Sequence, residues 1–137
     1  KLKNYYKKKI ILIDRFVDST IAYQHFGQGI SLSLIKNINK HIIGNFKVNF
    51  TFLNIVNKKN MKKRLKKRKK LNRYDKFKLN FYNIVQKGYL KILKSKKNVT
   101  IIDSSDTLNN NKANFYVELS KAKDTISSQQ KIIVFQS

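Results

Sequence analysis

Asp14-Arg15-Phe16-Val17-Asp18-Ser19-Thr20-Ile21-Ala22-Tyr23-Gln24 follows directly on Ile10-Ile11-Leu12-Ile13. A carboxylate and a guanidinium therefore stand where an apolar, strand-like run ends, and a short polar-aromatic helix comes next. In open α/β sheets, ligands bind at the carboxyl ends of the strands. A carboxylate there can hold a metal ion's water shell, and an adjacent guanidinium can grip a phosphate through two parallel hydrogen bonds. Taken alone, Asp14-Arg15 reads as readily as an ordinary strand-end ion pair. Ser19/Thr20 and Tyr23 lie within one helical turn and present to one side, with Gln24 beside them; a capping Ser and a core Tyr are the plain alternative.

A second constellation runs Arg64-Leu65-Lys66-Lys67-Arg68-Lys69-Lys70-Leu71-Asn72-Arg73-Tyr74-Asp75. Such a run is usually a solvated face or a nucleic-acid patch. Yet three of the chain's four Arg fall here and the fourth is Arg15, in a chain whose bases are otherwise Lys. Arg64 and Arg68, at i and i+4, can face one phosphate together.

These groups need positioning elements, and the hydrophobic pattern supplies them. Residues 1–8 read as the end of a basic helix. Residues 9–14 read as a strand buried on both faces, as in a parallel sheet. A short helix at 18–25 has Asp18 or Ser19 as its N-terminal cap, and Gly27-Gln28-Gly29 forms a loop. A helix from Ser31 to about Ile43 carries Leu34, Ile35, Ile38 and Ile42 on one face and ends at Gly44. A second buried strand covers 48–56. A basic helix at about 58–70 and a long helix at about 74–94 follow, the latter turning Phe77, Phe81, Ile84, Val85, Tyr89 and Ile92 inward. Val99-Thr100-Ile101-Ile102 is a third strand ending in Asp103, and a last helix spans roughly 112–123. Strands alternating with helices predict an α/β fold with a parallel sheet and helical crossovers. For 124–137 two readings stay open, a packed terminal segment or an unselected tail.

The order Asp-Arg-Phe-x-x-Ser-x-x-Ala-Tyr-Gln before a glycine-bearing loop resembles the thymidylate kinase signature, and the resemblance covers about residues 8 to 123 of a domain drawn at 1–123. It implies a P-loop-type fold and phosphoryl transfer from ATP to dTMP with Mg2+. It implies Arg15 as ligand of the acceptor phosphate and Asp14 as electrostatic organiser. Ser19, Thr20, Tyr23 and Gln24 line the nucleoside pocket, with Thr20 at the pyrimidine edge and Tyr23 near the sugar. The basic run resembles the family's lid, here about 58–75, so Arg64, Arg68 and Arg73 are implied at the moving phosphoryl group and ATP. Asp103 and Ser104 match a strand end and loop near the adenine. A homodimer is also implied.

Two positions depart from the family pattern. Asn72 stands for the lid's Asp, and Asn54-Ile55-Val56-Asn57 for an acidic turn ending in Pro. More consequential, the four glycines (27, 29, 44 and 88) cannot write the Gly-x-x-x-x-Gly-Lys-(Ser/Thr) loop that cradles ATP phosphates. In the family that loop follows a central strand lying between those matching 9–14 and 48–56. The expectation is therefore a sheet with an unfilled slot between these two strands, and a chain inactive by itself.

A net charge of +24 in 137 residues ordinarily points to a nucleic-acid partner, so a basic, ribosomal-type RNA- or DNA-binding protein is the alternative reading. Abundant Lys, Asn and Ile also mark an A+T-rich coding sequence, which makes non-specific nucleic-acid binding the expected consequence. Cysteine is absent, which suits the cytoplasm and excludes disulfides and thiolate metal sites. Two His are too few for zinc, so no protein-held metal site is expected. No apolar run approaches the ~18 residues of a membrane span, and the four-residue run ending at Asp14 excludes an ordinary signal peptide. A chain opening on Lys1 is expected to begin partway through a longer reading frame.

Overall fold

The computed structural model describes residues 10–44, 46–67, 79–125 and 132–136. Four strands form one sheet: β1 (Ile11–Asp14), β2 (Phe50–Ile55), β3 (Val99–Asp103) and β4 (Ile132–Gln136). Their order is β1-β4-β2-β3 and every pairing is parallel. The helices are α1 (Val17–Thr20), continued by a π-helical stretch at Ile21–Gly27, then α2 (Leu32–Ile43), α3 (Lys58–Lys67), α4 (Leu79–Leu93) and α5 (Leu108–Thr125). The parallel α/β architecture read from the sequence is present.

Strand identity follows burial. On one face of the sheet Leu53 joins Ala22, Tyr23, Phe81, Val85, Tyr89 and Leu93, so α1 with its π-helical continuation and α4 cover that side. On the other, Phe50, Phe52, Ile102 and Ile133 meet Ala122, with Phe115 and Leu119 of α5 packed against them. Phe52 and Phe135 stack at 5.4 Å between centroids, which ties β4 to β2 through side chains as well as backbone.

The expected slot between β1 and β2 is not empty. Ile132–Gln136 fills it, pairing Leu12 with Ile133 on one side and Phe50 with Ile133 on the other. Ile132, Ile133 and Val134 are essentially inaccessible. An uninterrupted branched-aliphatic run suits a central strand, because both of its faces are covered and both of its ladder edges are paired. For residues 132–136 the structure thus gives a packed strand; residues 126–131 and 137 lie outside the described residues.

Several local expectations change. Neither Asp18 nor Ser19 caps α1: the Ser19 amide bonds the Phe16 carbonyl at 2.9 Å, and both side chains turn to other partners. Helix α5 begins at Leu108 rather than near 112, because Thr107 Oγ1 accepts from the Asn110 amide and Asp106 accepts from the Asn110 side chain. A run of Asn reads as loop until a cap precedes it. On α2 only Ile35 is buried, while Leu34, Ile38 and Ile42 are exposed at 53%, 48% and 77%. Ile84 of α4 is likewise exposed, and Phe77 lies outside the described residues. The basic helix expected at 1–8 also lies outside them.

Candidate functional site at the carboxyl edge of the sheet

Four parallel strands bring four carboxyl ends to one edge. Asp14 closes β1, Gln136 closes β4, Ile55 closes β2 and Asp103 closes β3. At ~4.8 Å per strand, the outer ends lie ~14 Å apart, so the edge divides into two centres.

The first centre is Arg15. Its φ of 62° is a left-handed conformation that few non-glycine residues adopt. This lets the chain fold back over the sheet immediately after β1, and the Arg15 amide bonds the Phe135 carbonyl at 2.8 Å. The guanidinium sits over the Tyr23 ring, 5.2 Å from its centroid, an attraction between cation and π-face. Tyr23 in turn meets Phe81 and Tyr89 edge-on, at 6.1 and 6.3 Å. The core-Tyr reading holds: a ring locked in the core supports the Arg15 cation at its rim.

Ser19 joins Tyr89 to the end of β4. Its Oγ is 2.6 Å from the Tyr89 hydroxyl and donates to Gln136 Oε1 at 2.8 Å. Burial pushes the Tyr89 hydroxyl up to about 12, against a smaller lowering from the bond to Ser19, so this phenol is a donor at ordinary pH. Thr20 is exposed. Gln24 Oε1 is buried without a partner among the described residues, and so is Gln136 Nε2. The following loop is held by His25 Nδ1 against the Ile30 carbonyl at 2.8 Å. A Cβ at Gly27 would stand 2.6 Å from the Phe81 ring, so only glycine allows this close approach.

The second centre joins α3 to the end of β3. Arg64 donates to Ser104 Oγ at 3.2 Å and to the Ser104 carbonyl. The Ser104 hydroxyl and amide both bond the Ile55 carbonyl. The Ser105 hydroxyl and amide hold the Asp103 carboxyl below its ordinary range, with a smaller contribution from Arg64. Asn57 Oδ1 caps α3 through the Asn60 amide at 2.9 Å, and Asn60 Nδ2 reaches the Ser105 carbonyl. Arg64, Asp103 and Ser104 thus gather at one place, apart from Arg15. Arg68 and Arg73, with Asn72 and the rest of the expected lid beyond residue 67, lie outside the described residues.

Three supporting contacts escaped the sequence reading. Gln86 clamps the backbone of Val56, accepting from its amide at 2.9 Å and donating to its carbonyl at 3.2 Å. This fixes the turn where the family's Pro is replaced. Asp18, 5% exposed, accepts two bonds from Lys96 at 2.7 and 2.8 Å. That of Gln136 with Ser19 is the third. The only available signal was a polar residue in the buried register of its run, since Gln136 follows Ile132 and Val134 on the same face.

A central parallel strand flanked by parallel neighbours, with basic and hydroxyl side chains at the carboxyl edge, defines an α/β protein of the P-loop kinase-like class. The sequence model of thymidylate kinases matches residues 2–114, and the chain belongs to the thymidylate kinase family. It is 35% identical over 104 residues to a thymidylate kinase of Wolbachia pipientis wMel, covering 75% of this chain and 51% of that protein. Similar matches are a thymidylate kinase of Onion yellows phytoplasma, 37% identical over 108 residues with 76% and 52% covered, and one of Geobacillus sp., 38% identical over 100 residues with 71% and 48% covered. The chain spans about half the length of the curated relatives it matches, and β4 lies beyond the residues 2–114 that the family model matches.

Proposed function

We infer that this chain serves transfer of the γ-phosphoryl group from ATP to dTMP, giving ADP and dTDP for dTTP synthesis, and that it supplies the acceptor side of the site. The observation that carries this reading is Arg15: a guanidinium at a strand's carboxyl end, braced on the Tyr23 ring and adjoining the Ser19–Gln24 helix. Two parallel donors on a planar fork match a phosphomonoester, whose charge the braced cation offsets. Thr20 and Gln24 fall on the same short segment, where they meet the pyrimidine. Asp14 organises the field beside Arg15. Arg64, with Arg68 and Arg73 further along the lid, acts on the donor nucleotide near Asp103 and Ser104, stabilising charge on the moving phosphoryl group.

Magnesium enters on the ATP phosphates as MgATP, since no three His, Cys, Asp or Glu side chains among the described residues are grouped to hold a metal. Mg2+ usually keeps several waters and takes few protein ligands. The phosphate loop cannot be written from this chain's glycines, so the 137 residues by themselves bind dTMP weakly, bind ATP hardly at all, and do not turn over.

Calorimetric titration of the chain tests this. Arg15→Ala should weaken dTMP binding about 100-fold, the loss of a charge-assisted bidentate contact of about 3 kcal/mol. Lys67→Ala, an exposed cation, should change it less than about threefold. Equal effects of the two substitutions would remove Arg15 as phosphate ligand. Tight ATP binding by the chain would overturn the division of the site.

A further inference from the structure

Gln136 is wholly inaccessible, yet only half of its amide is satisfied. A buried amide hydrogen left unbonded costs ~1–3 kcal/mol, so each such group calls for an explanation. Ser19 Oγ gives its one hydrogen to Gln136 Oε1 at 2.8 Å, so the 2.6 Å bond between Ser19 Oγ and the Tyr89 hydroxyl is donated by the phenol. With Oε1 turned to Ser19, Nε2 keeps both hydrogens and has no acceptor among the described residues.

The position of this donor is equally constrained. Gln136 ends the central strand at the carboxyl edge, and the residue before it accepts the Arg15 amide. Ser19 lies four residues after Arg15 in the same motif. Arg15 is close enough to Tyr89 to act on its hydroxyl through the field. Arg15, the Tyr89–Ser19 pair and the unsatisfied Gln136 donor thus all belong to the carboxyl edge where β1 and β4 end. What fits is an anion with oxygens spread in several directions. Resting on the acceptor-phosphate reading above, we propose that Gln136 Nε2, covered in the free chain, becomes a second donor to the phosphomonoester held by Arg15 when that ligand opens the edge, oriented by the Tyr89–Ser19 relay.

The test is binding of dTMP, dAMP and thymidine to the chain, followed by the Gln136 side-chain NH2 resonances. That amide is assigned by triple-resonance spectra of the wild type and checked by its absence in Gln136→Met, which keeps length and volume. Expected are a shift and slowed exchange of the Gln136 NH2 on adding dTMP, with none on adding thymidine. Gln136→Met should weaken dTMP about 10- to 100-fold, the range for a hydrogen bond to a charged group, and leave thymidine unchanged. Should Gln136→Met fail to fold, the wild-type resonances decide alone. Ser19→Ala, which frees the amide to rotate, should also weaken dTMP. If dTMP binds and neither the resonance nor the affinity depends on Gln136, the proposal is overturned while the dTMP reading stands. If dAMP binds as well as dTMP and both need Gln136, the phosphate donor stands and the dTMP reading falls. Absence of any phosphomonoester binding overturns both.

Discussion

At the scale of the residue, the site depends on pairs whose partners lie far apart in sequence. Asp18 lies next to Ser19, yet one turns to Lys96 and the other to Tyr89 and Gln136. Neither caps the helix they begin, although both are capping types. The Tyr89 hydroxyl gives this network a pH signature. Its folded value of about 12 lies above the ordinary 10.0. Below pH 10 the phenol is protonated in folded and unfolded chains alike, and its full contribution is present. As pH climbs from 10 through about 12, the unfolded chain releases the proton first and that contribution is lost. At 1.36 kcal/mol per pKa unit the loss is about 2–3 kcal/mol. Urea unfolding of the wild type and Tyr89→Phe at pH 9 and pH 12 should show their stability difference shrink by that amount. Lysines titrate in the same interval but equally in both proteins. A difference that stays constant would mean that the phenol is not held neutral by the fold.

At the scale of the element, β4 decides the architecture. Its sequence, Ile132-Ile133-Val134-Phe135-Gln136, is no more apolar than that of β1, yet β4 is central and β1 is an edge. Position explains the difference in burial. Leu12 pairs with Ile133 and shares its face, but Leu12 is 58% exposed and Ile133 fully covered. Ile133→Ala should cost ~2–5 kcal/mol by leaving a cavity between β2 and α5. Leu12→Ala, at an uncovered edge, should fall within ~0.5 kcal/mol of wild type. Chemical denaturation of both variants reads this directly. Comparable losses would place β4 outside the folding unit. The π-helical turn after α1 is a second device at this scale. It ends at Gly27, whose missing Cβ admits the Phe81 ring, so motif loop and long helix can come into contact.

At the scale of the molecule, charge dominates. With 31 basic and 7 acidic side chains, at least 24 cations have no carboxylate to pair with. Such a surface attracts polyanions from any direction. Binding to nucleic acid should therefore be indifferent to sequence and fall log-linearly with salt, since each neutralised phosphate releases counterions. Filter binding of several unrelated duplexes between 50 and 200 mM salt is the check. Selectivity that survives physiological salt would favour the nucleic-acid reading over the kinase one. The exposed stripe Leu34, Ile38 and Ile42 on α2 belongs to this scale too. No helix among the described residues is long and apolar enough to cross a membrane.

The sequence by itself determined whatever rests on local order. The apolar runs marked the strands, helical spacing marked α2 and α4, and the Asp14–Gln24 motif with its glycine loop marked the family. The grouping of Arg64 with Ser104 was implied only by resemblance, and the structure places the two in contact. Tertiary structure decided what depends on which segments become neighbours. It placed residues 132–136 between strands that precede them by more than seventy positions, because a ladder edge accepts any segment with matching faces and sequence distance is no barrier to pairing. It also set Gln86 on Val56, Lys96 on Asp18 and Gln136 on Ser19. Amides, hydroxyls and a single Lys among 27 carry no periodic signal of their own. Their partners are chosen only when the sheet and helices close, and a buried polar group must then find whatever donor or acceptor the packing brings within reach.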